Sequence, residues 1–177
     1  MQKRDWKTYN YQAGFTLKEL IVVLIILFIL AATASPKFMN IKADANIATL
    51  ESMGTAIQSA AKLVYAKAAI QGVHEESLTT IDLDGDGQTD VEIAFGYPSA
   101  SRGNGISQIM GSNFEEDWTW STTYRDTRFW LTTASLGGRS GQYVNRSAVA
   151  NSGCYILYDP VTSLGETPEI SYVTDDC

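Results

Sequence analysis

The chain has 177 residues, of which 45% are hydrophobic and 19% charged, and a formal net charge of −7. That length holds one globular domain besides a single long apolar segment, and two domains are not expected. The acidic excess disfavours nonspecific binding to nucleic acid, whose affinity rests on basic contacts to phosphate.

The first 14 residues are polar, carry Lys3, Arg4 and Lys7 against Asp5, and end at Gly14. From Phe15 to Ala34 the chain is apolar, apart from Lys18 and Glu19 near its head. As a helix this run spans about 30 Å, the thickness of a bilayer core. The basic leader predicts that its own end stays cytoplasmic and the rest lies outside, although Lys37 and Lys42 weaken the asymmetry. An ionised side chain in hydrocarbon costs roughly 2.5 to 3.5 kcal/mol even on a lenient scale, which marks Glu19 as functional. A second reading is an ordinary secretory signal ending at Ala32-Thr33-Ala34, with the mature chain starting at Ser35. Against it, Lys18 and Glu19 adjoin the apolar core on the leader side, where an acid gains nothing, and helical spacing continues beyond Ser35.

Apolar residues at Phe38, Ile41, Ala45 and Ala48, then at Met53, Ile57, Ala60, Val64 and Ala68, predict an amphipathic helix that stops near Gly72. Pro36 removes a backbone donor inside this span, so a kink or local unwinding is expected there. Gly54 is either a weak point or a place of close packing. After Gly72, strand-like segments lie at Leu78–Ile81, Val91–Phe95, Trp118–Tyr124, Phe129–Thr133, Tyr155–Tyr158 and Ile170–Val173, and suggest an antiparallel sheet. The glycine- and serine-rich stretches 99–112 and 136–147 read as long loops.

Residues 82–90 place Asp82, Asp84, Asp86 and Asp90 at loop positions one, three, five and nine, with a glycine at six. Calcium takes six to eight oxygen ligands, and alternate aspartates about a sharp glycine turn can converge on it, with the Gln88 carbonyl completing the loop. Glu92 falls at position eleven and the flanks are strand-like, so a hairpin loop is expected rather than a helix-flanked one. The plain alternative is a solvated acidic turn. Trp118, Trp120, Tyr124, Phe129 and Trp130 form an aromatic cluster, in which Trp118 and Trp120 share a sheet face. Core packing or a subunit contact explains them most simply, and stacking on a sugar is the sharper alternative. The two cysteines, Cys154 and Cys177, lie in the exported portion, where a disulfide persists, and are expected to pair. His74 is the single histidine, with no G-x-S-x-G or metalloprotease motif beside it, so no enzyme is expected.

The polar leader ending in Gly14, followed by Phe15, Glu19, the apolar helix and Pro36, resembles the type IV pilin family. The resemblance implies cleavage between Gly14 and Phe15 by a prepilin peptidase, N-methylation of Phe15, and a role for Glu19 in assembly. Loss of residues 1–14 leaves 10 basic and 19 acidic residues, a net of −9. The implied fold is α+β: a cleaved leader (1–14), a transmembrane and filament-core helix (15–35), and an amphipathic helix (36–72) packed on a globular β-rich part (73–177) with a C-terminal disulfide loop. The segments Leu63–Val73 and Phe95-Gly96-Tyr97-Pro98 are similar to the mannose-sensitive haemagglutinin (MSHA) pilins of aquatic gammaproteobacteria. Lys18 departs from the family, which has an apolar residue there, and the acidic loop looks like an addition. The implied function is the major structural subunit of a type IV pilus: an inner-membrane precursor handled by the pilus assembly platform, then an extracellular homopolymer for surface attachment, with no nucleic-acid partner. The alternatives are a type II secretion major pseudopilin, where calcium is familiar but the terminal disulfide is not, and a minor pilin binding sugar or DNA.

Overall fold

The computed structural model describes residues 14–111, 113–123, 127–142 and 146–177, without the side chains of residues 35–40. The leader before Gly14, the side chains of Pro36 and Phe38, and Tyr124 therefore lie outside the described residues. The chain divides into two compact units, residues 1–41 and 42–177.

Helix α1 covers Leu17–Gln71. In the first unit its large apolar side chains, with Phe15 ahead of them, are 44% to 88% exposed as far as Leu30. The helix crosses Pro36 without interruption, so the local unwinding expected there is not found. A proline forfeits one helical hydrogen bond, and the turns on either side stay helical despite it.

In the second unit α1 buries Leu50, Gly54, Ile57, Ala61, Val64 and Ala68, a strict alternation of four and three residues that keeps one face inward. The sequence stripe was right at Ile57, Val64 and Ala68. It was one residue off at Ala60, which is only half-buried, and wrong at Ile41, Ala45 and Ala48, which are exposed while Leu50 is buried. Gly54 is a close-packing glycine: a Cβ there would collide with the Tyr172 ring and its hydroxyl. Gly54→Ala is expected to lower the stability of residues 42–177 by about 1 kcal/mol, because overpacking outweighs the gain in helix propensity. In a Tyr172→Ala background the same change is expected to stabilise by about 1 kcal/mol. Urea denaturation of the four proteins checks the reversal of sign.

The helix ends where Gly72 adopts φ 73°. The Val73 N–H donates to the Ala68 carbonyl (3.0 Å) and the Gly72 N–H to the Ala69 carbonyl (3.1 Å), a Schellman cap. Val73 then packs on Ala68 in the smaller of two cores, with Val64, Ile81, Val91 and Ile93.

Two sheets follow. The first joins β1 (Thr79–Ile81), β2 (Val91–Ala94) and β3 (Tyr97–Pro98), all antiparallel. The second has the order β6-β4-β5-β7-β8, from β4 (Trp118–Thr122), β5 (Phe129–Thr133), β6 (Gly141–Gln142), β7 (Tyr155–Asp159) and β8 (Glu169–Val173). It is antiparallel except for the parallel pair β4 and β6. The single sheet of the sequence reading is thus two, and the supposed loops hold a 3-10 turn (Ile106–Ile109) and β6.

The larger core joins Leu50 and Ile57 of α1 to Phe114, Trp118, Trp120, Phe129, Leu131, Ile156 and Tyr158. Ile109 packs on both cores. The buried Tyr158 hydroxyl donates to the Pro98 carbonyl (2.7 Å), tying one sheet to the other. Burial pushes its phenol well above the ordinary tyrosine value, so it stays a donor. Short helices α2 (Phe114–Asp117), α3 (Ala134–Gly137) and α4 (Ser147–Ala150) pack beside β4 and β5. Thr119 and Thr132 are buried with their hydroxyls bonded to the Arg139 and Cys154 carbonyls. The helix, the antiparallel sheets and the terminal disulfide make the α+β arrangement that the resemblance implies.

Candidate functional site

Four candidate regions came out of the sequence. At the first, Thr16 precedes helix α1 and its Oγ1 accepts from the Glu19 N–H (3.3 Å), while Glu19 Oε2 accepts from both the Thr16 N–H and its hydroxyl (2.8 Å each). This is a capping box, which satisfies helix donors reciprocally across a T-x-x-E spacing. Thr16 was missed in the sequence reading, although the spacing itself announces the motif. Gly14 and Phe15 lie just ahead of the cap in non-helical backbone. Leu17–Ala34 is long and apolar enough to cross a membrane.

The second region is the β1–β2 hairpin. Asp82, Asp84 and Asp86 each bring a carboxylate oxygen within 4.8 Å of the others. The loop is shaped from within: Asp82 accepts from the Gly85 (2.6 Å) and Gly87 (2.9 Å) amides, Asp84 from Asp86 N–H, and Asp86 from Gln88 N–H. Gly85 and Gly87 have φ near 90°, a conformation only glycine adopts cheaply. The Gly85 and Gly87 amides, joined by the Lys67 ammonium, hold the Asp82 carboxyl below its ordinary value. Asp82 is therefore ionised wherever a cation could use it.

Asp90 stands apart from this trio: one of its oxygens accepts from the Leu83 N–H (3.0 Å), closing the hairpin base. Its own N–H donates to the Ile81 carbonyl (2.8 Å). The last turns of α1 hold the loop from below, with Gln71 Nε2 on the Asp82 carbonyl (2.7 Å). Lys67 and Gln71 were not singled out from sequence, yet they lie four apart on one helix face just before the Gly72 stop.

At the third, Cys154 and Cys177 are joined by a disulfide, 23 residues apart in sequence. Cys154 is fully buried in the larger core and Cys177 packs against it. The Cys177 carbonyl accepts from Asn46 Nδ2 of α1 (2.7 Å), and the Asp176 N–H donates to the Gly153 carbonyl.

The aromatic cluster divides. Trp118, Trp120 and Phe129 are core residues, with Trp120 stacked on Phe129 at 5.2 Å. Trp130 instead packs against Tyr155 (5.2 Å), with the Arg146 guanidinium 5.7 Å from its ring centre. His74 meets Tyr65 edge-on, and Tyr65 stacks on Tyr97 at 4.7 Å, which brings the end of α1 against β3.

Among protein families, the description "Prokaryotic N-terminal methylation motif" matches residues 9–35. No curated protein and no solved structure matches the chain. The motif identifies a type IV pilin-like prepilin signal at the amino terminus and supports a pilin- or pseudopilin-like precursor, a structural protein held in a membrane by its apolar helix and destined for prepilin processing and filament assembly.

Proposed function

We propose that the chain is the major structural subunit of a type IV pilus, cleaved between Gly14 and Phe15, N-methylated at Phe15, and polymerised into an extracellular filament for surface attachment. The observation that carries this reading is the apolar helix behind Glu19, whose large side chains are at least 44% exposed around its circumference. An all-round apolar helix needs lipid or other apolar helices about it. Lipid serves the precursor, and copies of the same helix serve the filament. Prepilin peptidase and the pilus assembly platform are the partners this path requires. The closer likeness to MSHA pilins rests on the sequence of Leu63–Val73 and Phe95-Gly96-Tyr97-Pro98, and the terminal disulfide favours a pilus over a secretion pseudopilin. Mass spectrometry of sheared extracellular filaments is expected to find this chain as the most abundant component, beginning with N-methyl-Phe15. A mature chain starting at Ser35, or a trace abundance, overturns the reading.

A second part of the proposal is that the β1–β2 loop takes calcium through Asp82, Asp84 and Asp86, with the Gln88 carbonyl and the second oxygen of Asp90, whose first holds the Leu83 N–H, completing the set. Three converging carboxylates that repel one another favour a divalent cation, and Lys67 only partly offsets their charge. The role is structural, pinning the hairpin that carries β2. Extracellular calcium modules bind at about 10⁻⁴ to 10⁻³ M, and a cation that binds only the folded loop raises stability by mass action. Residues 42–177 are expected to melt several degrees higher in about 10 mM calcium than in chelator, a shift abolished by Asp84→Ala with Asp86→Ala. Identical melts with no binding heat leave a solvated acidic turn instead.

A further inference from the structure

Between β2 and the segments that follow β3 and β7 lies a pocket of about 350 Å³. Its volume is within the range of small-molecule sites, roughly 300 to 1,000 Å³. Leu78, Ala94, Ala100, Pro160 and Val161 give it apolar walls, and Glu92 is its one charged group among the described residues. Val91 and Ile93 join the smaller core, so the half-buried Glu92 between them stands on the opposite face of β2. Its backbone is held on both sides: the Glu92 N–H donates to the Asn104 carbonyl (2.6 Å), and the Glu92 carbonyl accepts from the Ser99 N–H (2.9 Å).

The polar lining of this pocket accepts far more than it donates. The Ser99 hydroxyl gives its proton to Glu92 Oε1 (2.6 Å), Ser101 to Asn104 Oδ1 (3.0 Å) and Thr162 to Glu166 Oε2 (3.3 Å). Thr127 shares a proton with Thr123, 2.7 Å away. The Ser101 and Thr162 amides are engaged as well, by the Ser99 hydroxyl and the Glu166 carboxylate. Among the described residues the lining holds no ammonium, guanidinium, imidazole, indole or amide side chain. What remains are hydroxyl lone pairs and the second Glu92 oxygen, which has no donor or ion pair among the described residues. Such a lining asks for a cation that only donates. An ammonium has three donors and no acceptor, and the apolar walls suit a hydrocarbon stem behind it. A guanidinium matches less well, because it grips a carboxylate by both oxygens and Ser99 already holds one.

We propose that this pocket binds a primary alkylammonium group, which donates to the second Glu92 oxygen and to the Ser101 and Thr162 hydroxyls while its methylenes lie on Leu78 and Val161. The site belongs to the single subunit and is independent of the filament and calcium readings. Saturation-transfer NMR on the full chain in nonionic detergent tests it, with 1,4-diaminobutane and Nα-acetyl-lysine amide as probes. Butyrate and Nα-acetyl-arginine amide are the controls. At least one amine is expected to bind in the millimolar range, and both controls about tenfold more weakly or not at all. The tighter of the two probes names the source, a free amine or the lysine side chain of a protein. Glu92→Gln keeps an oxygen for the Ser99 hydroxyl but loses the charge, and is expected to weaken binding about tenfold with near-ultraviolet circular dichroism unchanged. Leu78 is exposed, so Leu78→Ala keeps the fold and is expected to weaken binding about threefold. Glu116→Gln removes the same charge from an exposed position outside the pocket and is expected to leave binding unchanged. No amine binding, an arginine control that binds as tightly, or binding undiminished in the folded Glu92 variant overturns the proposal. An equal loss in the Glu116 variant also overturns it, in favour of diffuse attraction to an acidic surface.

Discussion

Glu19→Ala is expected to leave a membrane-held chain with a normal amino terminus and to reduce filament yield at least tenfold. In the single chain the Glu19 carboxylate already has a role, since its Oε2 closes the capping box with Thr16. No described residue donates to Oε1, and Lys18 forms no ion pair with Glu19 among the described residues. Under the proposed function, the second oxygen accepts the protonated Phe15 amine of a neighbouring subunit once the leader has gone. Inside a bundle of apolar helices such a pair is desolvated, and removing one partner leaves the other charge uncompensated, at about 3 to 5 kcal/mol.

The local and intermolecular roles can be separated. Glu19→Gln retains an oxygen for the capping box, which accepts either residue, but carries no charge. If charge pairing drives assembly, the glutamine variant assembles as poorly as the alanine variant. Restoration of filaments by glutamine would assign Glu19 to the cap alone. Immunoblots of sheared and membrane fractions, with the amino terminus read by mass spectrometry, distinguish the outcomes.

Features set by short-range chemistry were legible in the sequence. The six strands predicted from β-branched and aromatic runs all occur within one or two residues of their expected bounds, except that Tyr124 lies outside the described residues. Gly72 was read as the helix stop, and its lack of a Cβ permits the left-handed cap found there. The Asp82-x-Asp84-x-Asp86 spacing converges its carboxylates through amide bonds within the loop itself. What escaped depended on distant partners. Leu50 is buried and Ala48 exposed because Leu50 meets the larger core of the sheet, a partner no local pattern records, and Gly54 needed Tyr172, 118 residues away, to reveal its purpose. The two-residue β6 escaped because it carries no periodicity of its own and exists only through its pairing with β4.

Removing the disulfide, by Cys154→Ala with Cys177→Ala, is expected to destabilise residues 42–177 by about 3 kcal/mol, the chain-entropy value for a loop of this length. For a domain of this size that is a fall of about 10 °C in melting temperature. Alanine is chosen over serine because Cys154 is fully exposed to the core and not to water, so a hydroxyl there would add its own desolvation cost. The loss concentrates at the carboxyl end. Strand β8 is an edge strand paired only with β7, and residues 160–168 between them are largely exposed. Without the covalent closure, the last residues are held chiefly by the Asn46 bond to Cys177 and the Asp176 bond to Gly153, each worth about 1 kcal/mol net. Limited proteolysis is therefore expected to cut first between 160 and 177 in the alanine variant, with the α1 and β4–β5 core surviving longer. A variant that melts with the parent and is cut at the same rate would show that these hydrogen bonds and the core contacts of β8, Tyr172 against Gly54 among them, suffice to hold the end of the chain.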